Sequence, residues 1–206
     1  KITTGLSENK FGIDIELIPN IIKTIKSLSN IQLIGLHFHL GSQITDLSVF
    51  ENLCVRINEL QEKMEVYNLS IKDINIGGGL GVNYEHPNHM PIPDFESYFR
   101  VFHKHLKLKE GQNLHCEPGR SIVAQCGSLI TKITYVKEGS NKKFLITDAG
   151  MTDLIRPAMY DSYHRIENIS SHTETLELYD VVGPICESSD VFGYDRELNS
   201  SKRGDL

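Results

Sequence analysis

The sequence predicts an α/β fold in two parts, a unit built on a parallel sheet and then a predominantly antiparallel β domain. Between residues 31 and 117, three apolar runs of strand character alternate with two segments of helical periodicity, the pattern of a parallel sheet with crossover helices. Beyond Arg120 the chain changes to short β-rich runs separated by Gly, Ser and Asn. We therefore place a domain boundary between residues 124 and 125.

The elements of the first part follow from hydrophobic periodicity. A nearly continuous apolar run predicts that the first strand is buried on both faces. Ser48 and Glu51 have the spacing of a capping box, and the helix that follows carries an apolar stripe of Phe50, Leu53, Cys54, Ile57, Leu60 and Met64. The predicted elements are a helix over 18–28, a strand over 31–40, a helix from 48, a strand over 71–76, a helix over 94–106 and a strand over 113–117.

The second part reads as an antiparallel β domain. Its β-rich runs are short and are separated by Gly, Ser and Asn. The predicted strands are 129–136, 144–147, 165–169 and 175–182.

Composition limits the classes of function. A chain of 206 residues with 39% hydrophobic content can bury a core, and its formal net charge of −6 without a long Lys/Arg run argues against nucleic acid or an anionic membrane as a partner. No apolar run approaches the roughly 20 residues of a membrane span. The four cysteines lack paired spacing, so we expect neither a zinc site nor a disulfide framework. Unpaired cysteines are typical of a reducing compartment, so we expect a cytoplasmic location.

Unusual residues follow each of the three parallel strands. The first strand ends in His37, His39 and Gly41-Ser42, the second in Gly77-Gly78-Gly79-Leu80-Gly81, and the third in Glu117-Pro118-Gly119-Arg120. Barrels and open α/β sheets place their active sites at the carboxyl ends of parallel strands. We therefore expect the three clusters to converge on one ligand.

Each cluster has more than one interpretation. The glycines form either a tight turn or a nest of backbone N–H groups for an anion such as phosphate, to which Ser42 could add a hydrogen bond. Glu117 and Arg120 are either an exposed pair or two groups that face different parts of one ligand. His37 and His39 share a strand face and suit a packed core, or a metal as in amidohydrolase-like enzymes. Because a catalytic metal needs about three protein ligands, and the later strands offer only Glu117, we expect no metal.

Five ordered motifs narrow these alternatives. HFHLGSQ, INIGGGLGV, CEPGRSIVA, DAGMTDLIRPAMY and VVGPICESSD closely resemble the diaminopimelate decarboxylases, pyridoxal-phosphate enzymes of fold type III with an alanine-racemase-like barrel. The similarity runs from KFGI at Lys10 nearly to the C-terminus. It implies that residues 1–124 are the C-terminal part of a (β/α)8 TIM-type barrel that binds the cofactor, and that residues 125–206 belong to the β-rich C-terminal domain.

The resemblance also implies roles in cofactor binding and catalysis. His39 would stack on the ring of pyridoxal 5'-phosphate and Glu117 would face its pyridine nitrogen, where a carboxylate stabilises the protonated ring and favours decarboxylation. The phosphate side would be held by, or lie close to, Ser42, Gly79, Pro118, Gly119 and Arg120.

A second set of residues would bind the substrate, which carries a carboxylate at each end. These residues are Arg120, Arg156, Tyr160 and Glu187, and Arg156 taken alone could also be an ordinary surface arginine. In the family, the residue that matches Cys186 donates a proton after decarboxylation from the neighbouring subunit, which implies a homodimer with shared active sites. Lys10 and Asp190 resemble a pair that bridges that interface.

The implied function is decarboxylation of meso-2,6-diaminopimelate to L-lysine and CO2, the last step of lysine biosynthesis. The alternatives are a related decarboxylase of ornithine, arginine or carboxynorspermidine, a metal-dependent barrel hydrolase, and a non-catalytic homologue. The family's Schiff-base lysine precedes KFGI, and its C-terminal cofactor-anchoring tyrosine falls beyond Leu206. We therefore expect this chain to be a fragment that does not turn over substrate alone.

Overall fold

The computed structural model describes residues 10–206, which form two compact units. The first unit comprises the described residues up to Val82 together with Met90–Cys126, and the second comprises Asn83–His89 together with Gly127–Leu206. No helix in the described part of the chain is long and apolar enough to cross a membrane. After a 3-10 turn at Ile15–Leu17, the elements are α1 (Ile18–Ser27), β1 (Gly35–His37), α2 (Ser48–Val66), β2 (Asp73–Asn75), α3 (Phe95–His105), β3 (Asn113–His115), α4 (Arg120–Val123), β4 (Ile133–Glu138), β5 (Lys143–Thr147), α5 (Arg156–Tyr160), β6 (Leu176–Val182) and β7 (Val191–Asn199).

The first unit is built on a parallel sheet with the strand order β1-β2-β3, which confirms the predicted parallel topology. Leu36, Ile74 and Leu114 lie opposite one another in the register. Since side chains alternate across a strand, these three residues share one face, and the polar residues of β1, β2 and β3 share the other. One sheet therefore presents an apolar face and a polar face.

The strands are shorter than the sequence predicted, and the first is less buried. β1 has three residues, and the predicted strand over 31–40 begins with Ile31 and Ile34, each 55% exposed. The strand pairs only with β2, because it lies at the edge of the sheet. The prediction of burial on both faces is therefore wrong.

The core of the first unit joins α2 and α3 to the apolar face of the sheet. All six residues of the predicted stripe on α2 are buried, together with Ile74 from β2. Phe50 packs edge-on against Tyr98 of α3, with ring centroids 5.0 Å apart and an interplanar angle of 89°. α3 agrees with the helix predicted over 94–106. It begins after Asp94, whose side chain accepts the Ser97 N–H at 2.9 Å.

The start of α2 differs from the predicted capping box. Ser48 is the first helical residue and makes no side-chain cap. Instead the Ser48 N–H donates to the carboxylate of Asp46 at 2.9 Å, which takes the place of the cap. Hydrogen bonds from the Ser48 side chain and then from its backbone lower the pKa of Asp46. The capping role was predicted for Ser48, whereas Asp46 has it.

The second unit is built on a four-stranded sheet with the order β4-β5-β6-β7. The β4–β5 and β6–β7 pairings are antiparallel and the β5–β6 pairing is parallel, so the sheet is mixed and predominantly antiparallel. The run 165–169 forms no strand, whereas β7, nine residues long, was not predicted. The core consists of Ile133, Leu145, Ala149, Tyr179, Val181, Phe192 and Leu198.

Candidate active site

The residues that follow the three parallel strands lie against one another. The Glu117 N–H donates to the carbonyl of Gly77 at 2.7 Å. A Cβ added to Gly77 would lie 2.2 Å from the carbonyl oxygen of Phe38, and one added to Gly78 would lie 2.0 Å from that of Glu117. The segment after β2 therefore lies in close contact with the segments after β1 and β3, and only glycine permits that approach.

His39 is oriented by the glycine segment. The Gly78 N–H donates to His39 Nδ1 at 3.4 Å. With Nδ1 as the acceptor, the neutral imidazole carries its proton on Nε2. The ring is exposed, so one of its faces is available to a ligand. This arrangement suits the predicted stacking role, which stays a prediction.

The carboxylate of Glu117 is held by two side chains on the polar face of the sheet. Asn75 Nδ2 donates to Glu117 Oε1 at 2.8 Å, and the Asn75 amide is itself oriented because its Oδ1 accepts the Gly77 N–H at 2.8 Å. His37 Nε2 lies 3.5 Å from the same oxygen of Glu117. Sequence reasoning missed Asn75, although the polar residues at every second position of β2 signalled a polar strand face.

The polar face of the sheet also carries a hydrogen-bonded group around Asp73, two residues before Asn75 on β2. Asp73 Oδ1 lies 2.9 Å from both Asn113 Nδ2 and His115 Nε2. The hydrogen bond from Asn113, followed by that from His115, lowers the pKa of Asp73. These contacts link β2 to β3 beside the site. Within residues 10–206, no three His, Cys, Asp or Glu side chains are grouped as metal ligands.

A cationic group lies beside Ser42. Arg120 Nη2 donates to Ser42 Oγ at 2.8 Å, and Nη1 donates to Gln43 Oε1 at 3.4 Å. Gln43 Oε1 also accepts the Val82 N–H at 3.2 Å, so its amide ties the turn after β1 to the segment after β2. Ser42 and Arg120, which were both predicted to lie on the phosphate side, are thus hydrogen-bonded to each other, and Gln43 was missed.

The remaining predicted residues of this cluster form the turn that positions Arg120. Pro118 accepts the Ser121 N–H at 3.2 Å, and Gly119 has a φ of +53° immediately before α4. A φ in the left-handed region favours glycine. Gly79 lies on the other side of Ser42, where its carbonyl accepts the Ile44 N–H at 2.8 Å. The anion-binding roles of these residues stay predictions.

In the second unit, the predicted substrate residues of RPAMY lie on the short helix α5. The guanidinium carbon of Arg156 is 5.7 Å from the ring centroid of Tyr160, and Arg156 Nη2 donates to Ser162 Oγ at 3.2 Å. Tyr160 is 49% exposed. Arg156 is thus in contact with its own segment, and its substrate-binding role stays a prediction.

Cys186 and Glu187 lie on an exposed loop, residues 183–190, between β6 and β7. Cys186 is an exposed free thiol. The carboxylate of Glu187 accepts both the N–H and the hydroxyl of Ser189 at 3.2 Å. Neither side chain is engaged in the core, so both are available to another molecule.

Asp190, at the end of this loop, has partners inside its own unit. It is 3% exposed, and its two carboxylate oxygens accept the backbone N–H groups of Met151 and Ile185. The Lys10–Asp190 bridge between subunits stays a prediction.

The second unit also contains a cleft of about 430 Å³ between the α5 segment and β7. Arg156, Tyr160, Cys186 and Glu187 do not line this cleft. Its lining residues are Pro157, Ala158, Asp161, Ser162, Tyr163, Ser189, Val191, Phe192, Gly193, Tyr194 and Arg196.

The chain is similar to curated enzymes and to solved structures over nearly its whole length. It is 58% identical to a diaminopimelate decarboxylase of Bacteroides thetaiotaomicron, with 100% of this chain and 53% of that protein covered. A crystal structure of diaminopimelate decarboxylase from Helicobacter pylori complexed with L-lysine has 36% identity and a TM-score of 0.87, covering 99% of this chain and 50% of that one. A lysine/ornithine decarboxylase from Vibrio vulnificus complexed with cadaverine has 27% identity and a TM-score of 0.83, covering 97% and 53%.

The chain spans about half the length of the curated relatives it matches. The sequence model described as the C-terminal sheet domain of pyridoxal-dependent decarboxylases matches residues 49–206. That match covers more than half of the chain and includes the clusters after β2 and β3, α5 and the 183–190 loop. The chain therefore belongs to the pyridoxal-dependent decarboxylase family.

Proposed function

We propose that the complete polypeptide is a pyridoxal-phosphate-dependent decarboxylase that converts meso-2,6-diaminopimelate to L-lysine and CO2, the last step of lysine biosynthesis. The observation that carries this proposal is the grouping of the His39 imidazole, the Glu117 carboxylate and the Arg120 guanidinium on adjoining strand ends. The similarity to proteins named diaminopimelate decarboxylase supports the choice of substrate.

The residues of the first unit fit the cofactor chemically. Pyridoxal phosphate has an anionic phosphate, a flat aromatic ring and a ring nitrogen that can take up a proton. The Arg120–Ser42 pair suits the phosphate, since a guanidinium and a hydroxyl both donate hydrogen bonds. Gly77 and Gly78 let the strand-end segments that carry His39 and Glu117 pack closely, because a Cβ on either glycine would meet a backbone carbonyl oxygen. When bound, the cofactor accepts the electron pair that departing CO2 leaves behind.

Glu117 has the role of holding a proton at the ring nitrogen. A carboxylate beside that nitrogen favours its protonated form, whereas a cation in the same place would oppose it. Asn75 holds Glu117 Oε1 from one side and leaves the carboxylate exposed on the other. His39, fixed through its Nδ1, would cover the face of the ring.

The second unit and Arg120 supply the substrate contacts. Arg156 and Arg120 suit the two carboxylates of diaminopimelate, Tyr160 adds a hydroxyl donor, and Glu187 suits the distal ammonium group. Cys186 would donate a proton to the substrate carbon after CO2 has left. We propose that it does so from the neighbouring subunit of a homodimer, and its exposure on the 183–190 loop is consistent with that role.

We also infer the wider setting of the chain. The three parallel strands, with α2 and α3 on their apolar face, are proposed to be part of a (β/α)8 barrel, in which the carboxyl ends of the strands form the active site. The four cysteines are free thiols, which supports a cytoplasmic location for the complete enzyme.

A related substrate is the second candidate. The similarity to a lysine/ornithine decarboxylase, at 27% identity and a TM-score of 0.83, favours a diamine-forming decarboxylase as the alternative. The two substrates differ at the far end, where diaminopimelate has a second carboxylate and ornithine has none. Two arginines among the proposed substrate residues match the two carboxylates of diaminopimelate, whereas ornithine has one carboxylate, and for this reason we prefer diaminopimelate.

The test uses the full-length polypeptide loaded with pyridoxal phosphate. CO2 release and the amine product of each substrate, which is lysine for meso-diaminopimelate, would be measured with meso-diaminopimelate, ornithine, arginine and carboxynorspermidine at equal concentrations. Glu117→Gln keeps the shape of the side chain and removes its charge, so we expect a decrease in kcat and a changed pH dependence of the cofactor absorbance. The matched control is Glu110→Gln, at an exposed position of the same unit. Preference for ornithine would select the alternative, and a Glu117→Gln enzyme equal to the control would refute the role of Glu117.

A further inference from the structure

The loop that carries Cys186 and Glu187 has one buried anchor. Residues 183–190 join β6 to β7, and residues 184–189 are exposed. Asp190 is 3% exposed at the end of the loop. A long exposed loop with a single buried carboxylate at its base depends on that carboxylate for its conformation.

The hydrogen bonds of Asp190 close the loop and fasten it to a second motif. Its Oδ2 accepts the Ile185 N–H at 2.8 Å, and its backbone carbonyl accepts the Gly183 N–H at 2.9 Å. Its Oδ1 accepts the N–H of Met151, in the DAGMTD segment after β5, at 2.6 Å. One carboxylate thus holds the residue before Cys186 and also the segment that leads to α5.

The surroundings of Asp190 leave no room for another side chain. A Cβ on Gly183 would lie 2.3 Å from Asp190 Oδ2, and a Cβ on Gly150 would lie 3.1 Å from both carboxylate oxygens. Hydrogen bonds to an ionised carboxylate are stronger than those between neutral groups. The glycines at 150 and 183 let two backbone segments approach the carboxylate closely enough to make these bonds.

We propose that Asp190 is a positioning residue, which sets the conformation of the 183–190 loop and thereby the place of the Cys186 thiol and the Glu187 carboxylate. This inference rests on the proposed function for the roles of Cys186 and Glu187. The anchoring itself does not depend on the identity of the substrate. The contacts that give Asp190 this role are its hydrogen bonds with two backbone N–H groups of its own chain.

Two variants disturb the same contact from opposite sides. Asp190→Asn keeps the size of the side chain but turns one of its two acceptors into an NH2 donor that faces an N–H. Gly183→Ala keeps the aspartate at position 190, but the new Cβ displaces the Oδ2 atom of Asp190. The matched control is Asp195→Asn in the same unit, because Asp195 is exposed and its φ of +49° is tolerated by asparagine.

The direct readout is amide hydrogen exchange in the full-length, cofactor-loaded enzyme. The amides of Met151 and Ile185 should be protected in the wild type and should exchange at least tenfold faster in Asp190→Asn and Gly183→Ala, but not in Asp195→Asn. If these amides exchange in the wild type as fast as unstructured ones, the anchoring proposal is wrong, even if neither variant folds.

The functional readouts separate positioning from general destabilisation. In both variants the cofactor absorbance should stay as in the wild type, and kcat should fall by about 100-fold, the cost of roughly 1 Å of misplacement. The rate at which iodoacetamide alkylates Cys186, followed by peptide mass spectrometry, should change at least threefold relative to Cys126. Unchanged Cys186 alkylation with unchanged kcat would overturn the proposal. A different outcome would separate the two proposals. If the wild-type enzyme is inactive on every amino acid tested, and the two variants still lose amide protection, the proposed function is refuted and the anchoring by Asp190 is supported.

Discussion

Gly78→Ala is the substitution that tests most directly whether the strand ends form one site. A Cβ at this position would lie 2.0 Å from the carbonyl oxygen of Glu117, whereas real Cβ contacts are essentially never shorter than 3.0 Å. The segments after β2 and β3 must therefore separate by at least 1.0 Å, the difference between these two distances. Misplacement by about 1 Å costs on the order of 100-fold in rate, and strain of this kind costs about 1–3 kcal/mol of stability.

The assay compares Gly78→Ala with Gly127→Ala in the full-length enzyme. A Cβ on Gly127 meets nothing within 4 Å, and neither glycine has a φ in the left-handed region, so the control isolates the steric contact. We expect Gly78→Ala to lower kcat/KM for diaminopimelate by about 100-fold, to weaken cofactor binding followed by absorbance, and to lower the urea midpoint. A Gly78→Ala enzyme within twofold of Gly127→Ala in kcat/KM would refute the reasoning, because it would mean that the approach of Glu117 to the glycine segment is not needed.

Three further predictions concern single side chains of the first unit. Tyr98→Phe should raise the free energy of unfolding by about 1 kcal/mol, because the buried Tyr98 hydroxyl has no hydrogen-bond partner among the described residues. The same burial raises the pKa of Tyr98 to about 12. A loss of stability in urea denaturation would contradict this prediction. Asp94→Ala should lower the urea midpoint at pH 7. The Ser97 N–H holds the pKa of Asp94 below its ordinary 3.8, so this stabilisation is present above that pH and is lost as the pH falls through the lowered pKa, where variant and wild type should converge. Asn75→Ala should weaken pyridoxal-phosphate binding by about tenfold in an absorbance titration, because Glu117 loses its strongest donor; unchanged affinity would show that Asn75 does not position it.

The helices α1, α2 and α3 were predictable because each is long enough for its periodicity to be seen, whereas the four-residue α4 and the five-residue α5 are not and were missed. The stripe on α2 was read residue by residue, and all six of its members are buried. The start of the helix predicted over 94–106 agrees with α3, which begins after the capping residue Asp94, since a helix start is a local feature. The capping box at Ser48 failed for the same reason: Asp46, two residues earlier, is an equally good local acceptor, and only the structure shows which one the backbone uses.

The strands were less predictable because their extent depends on pairing partners. β7 contains Gly193 and three charged residues, which obscured its pattern, yet it pairs with β6 over most of its length. The run 165–169 has comparable β character and finds no partner among the described strands. Pairing across the fold, which the sequence does not display, decided both cases.

The site was predictable to the level of the strand ends. The three clusters were identified because parallel strands bring their carboxyl ends together. In the structure the Gly78 N–H donates to His39 Nδ1, and the Glu117 N–H donates to the carbonyl of Gly77. Asn75 and Gln43 were missed because each acts on a residue far along the chain, Glu117 and Arg120 respectively. Such hydrogen bonds leave no local pattern in the sequence.

The two-faced sheet of the first unit couples stability to chemistry through the pleat of a single strand. Ile74 is fully buried on one face, and its neighbour Asn75 contacts Glu117 on the other. A shift of β2 by one residue would place the side chain of Ile74 on the polar face and that of Asn75 on the apolar face. An insertion of one residue in this strand would therefore disrupt the packing and the polar cluster together. Conversely, every second position can change its chemistry without repacking the interior. Divergence toward new substrates can therefore proceed by altering outward positions alone, while the inward ones keep the strand in place.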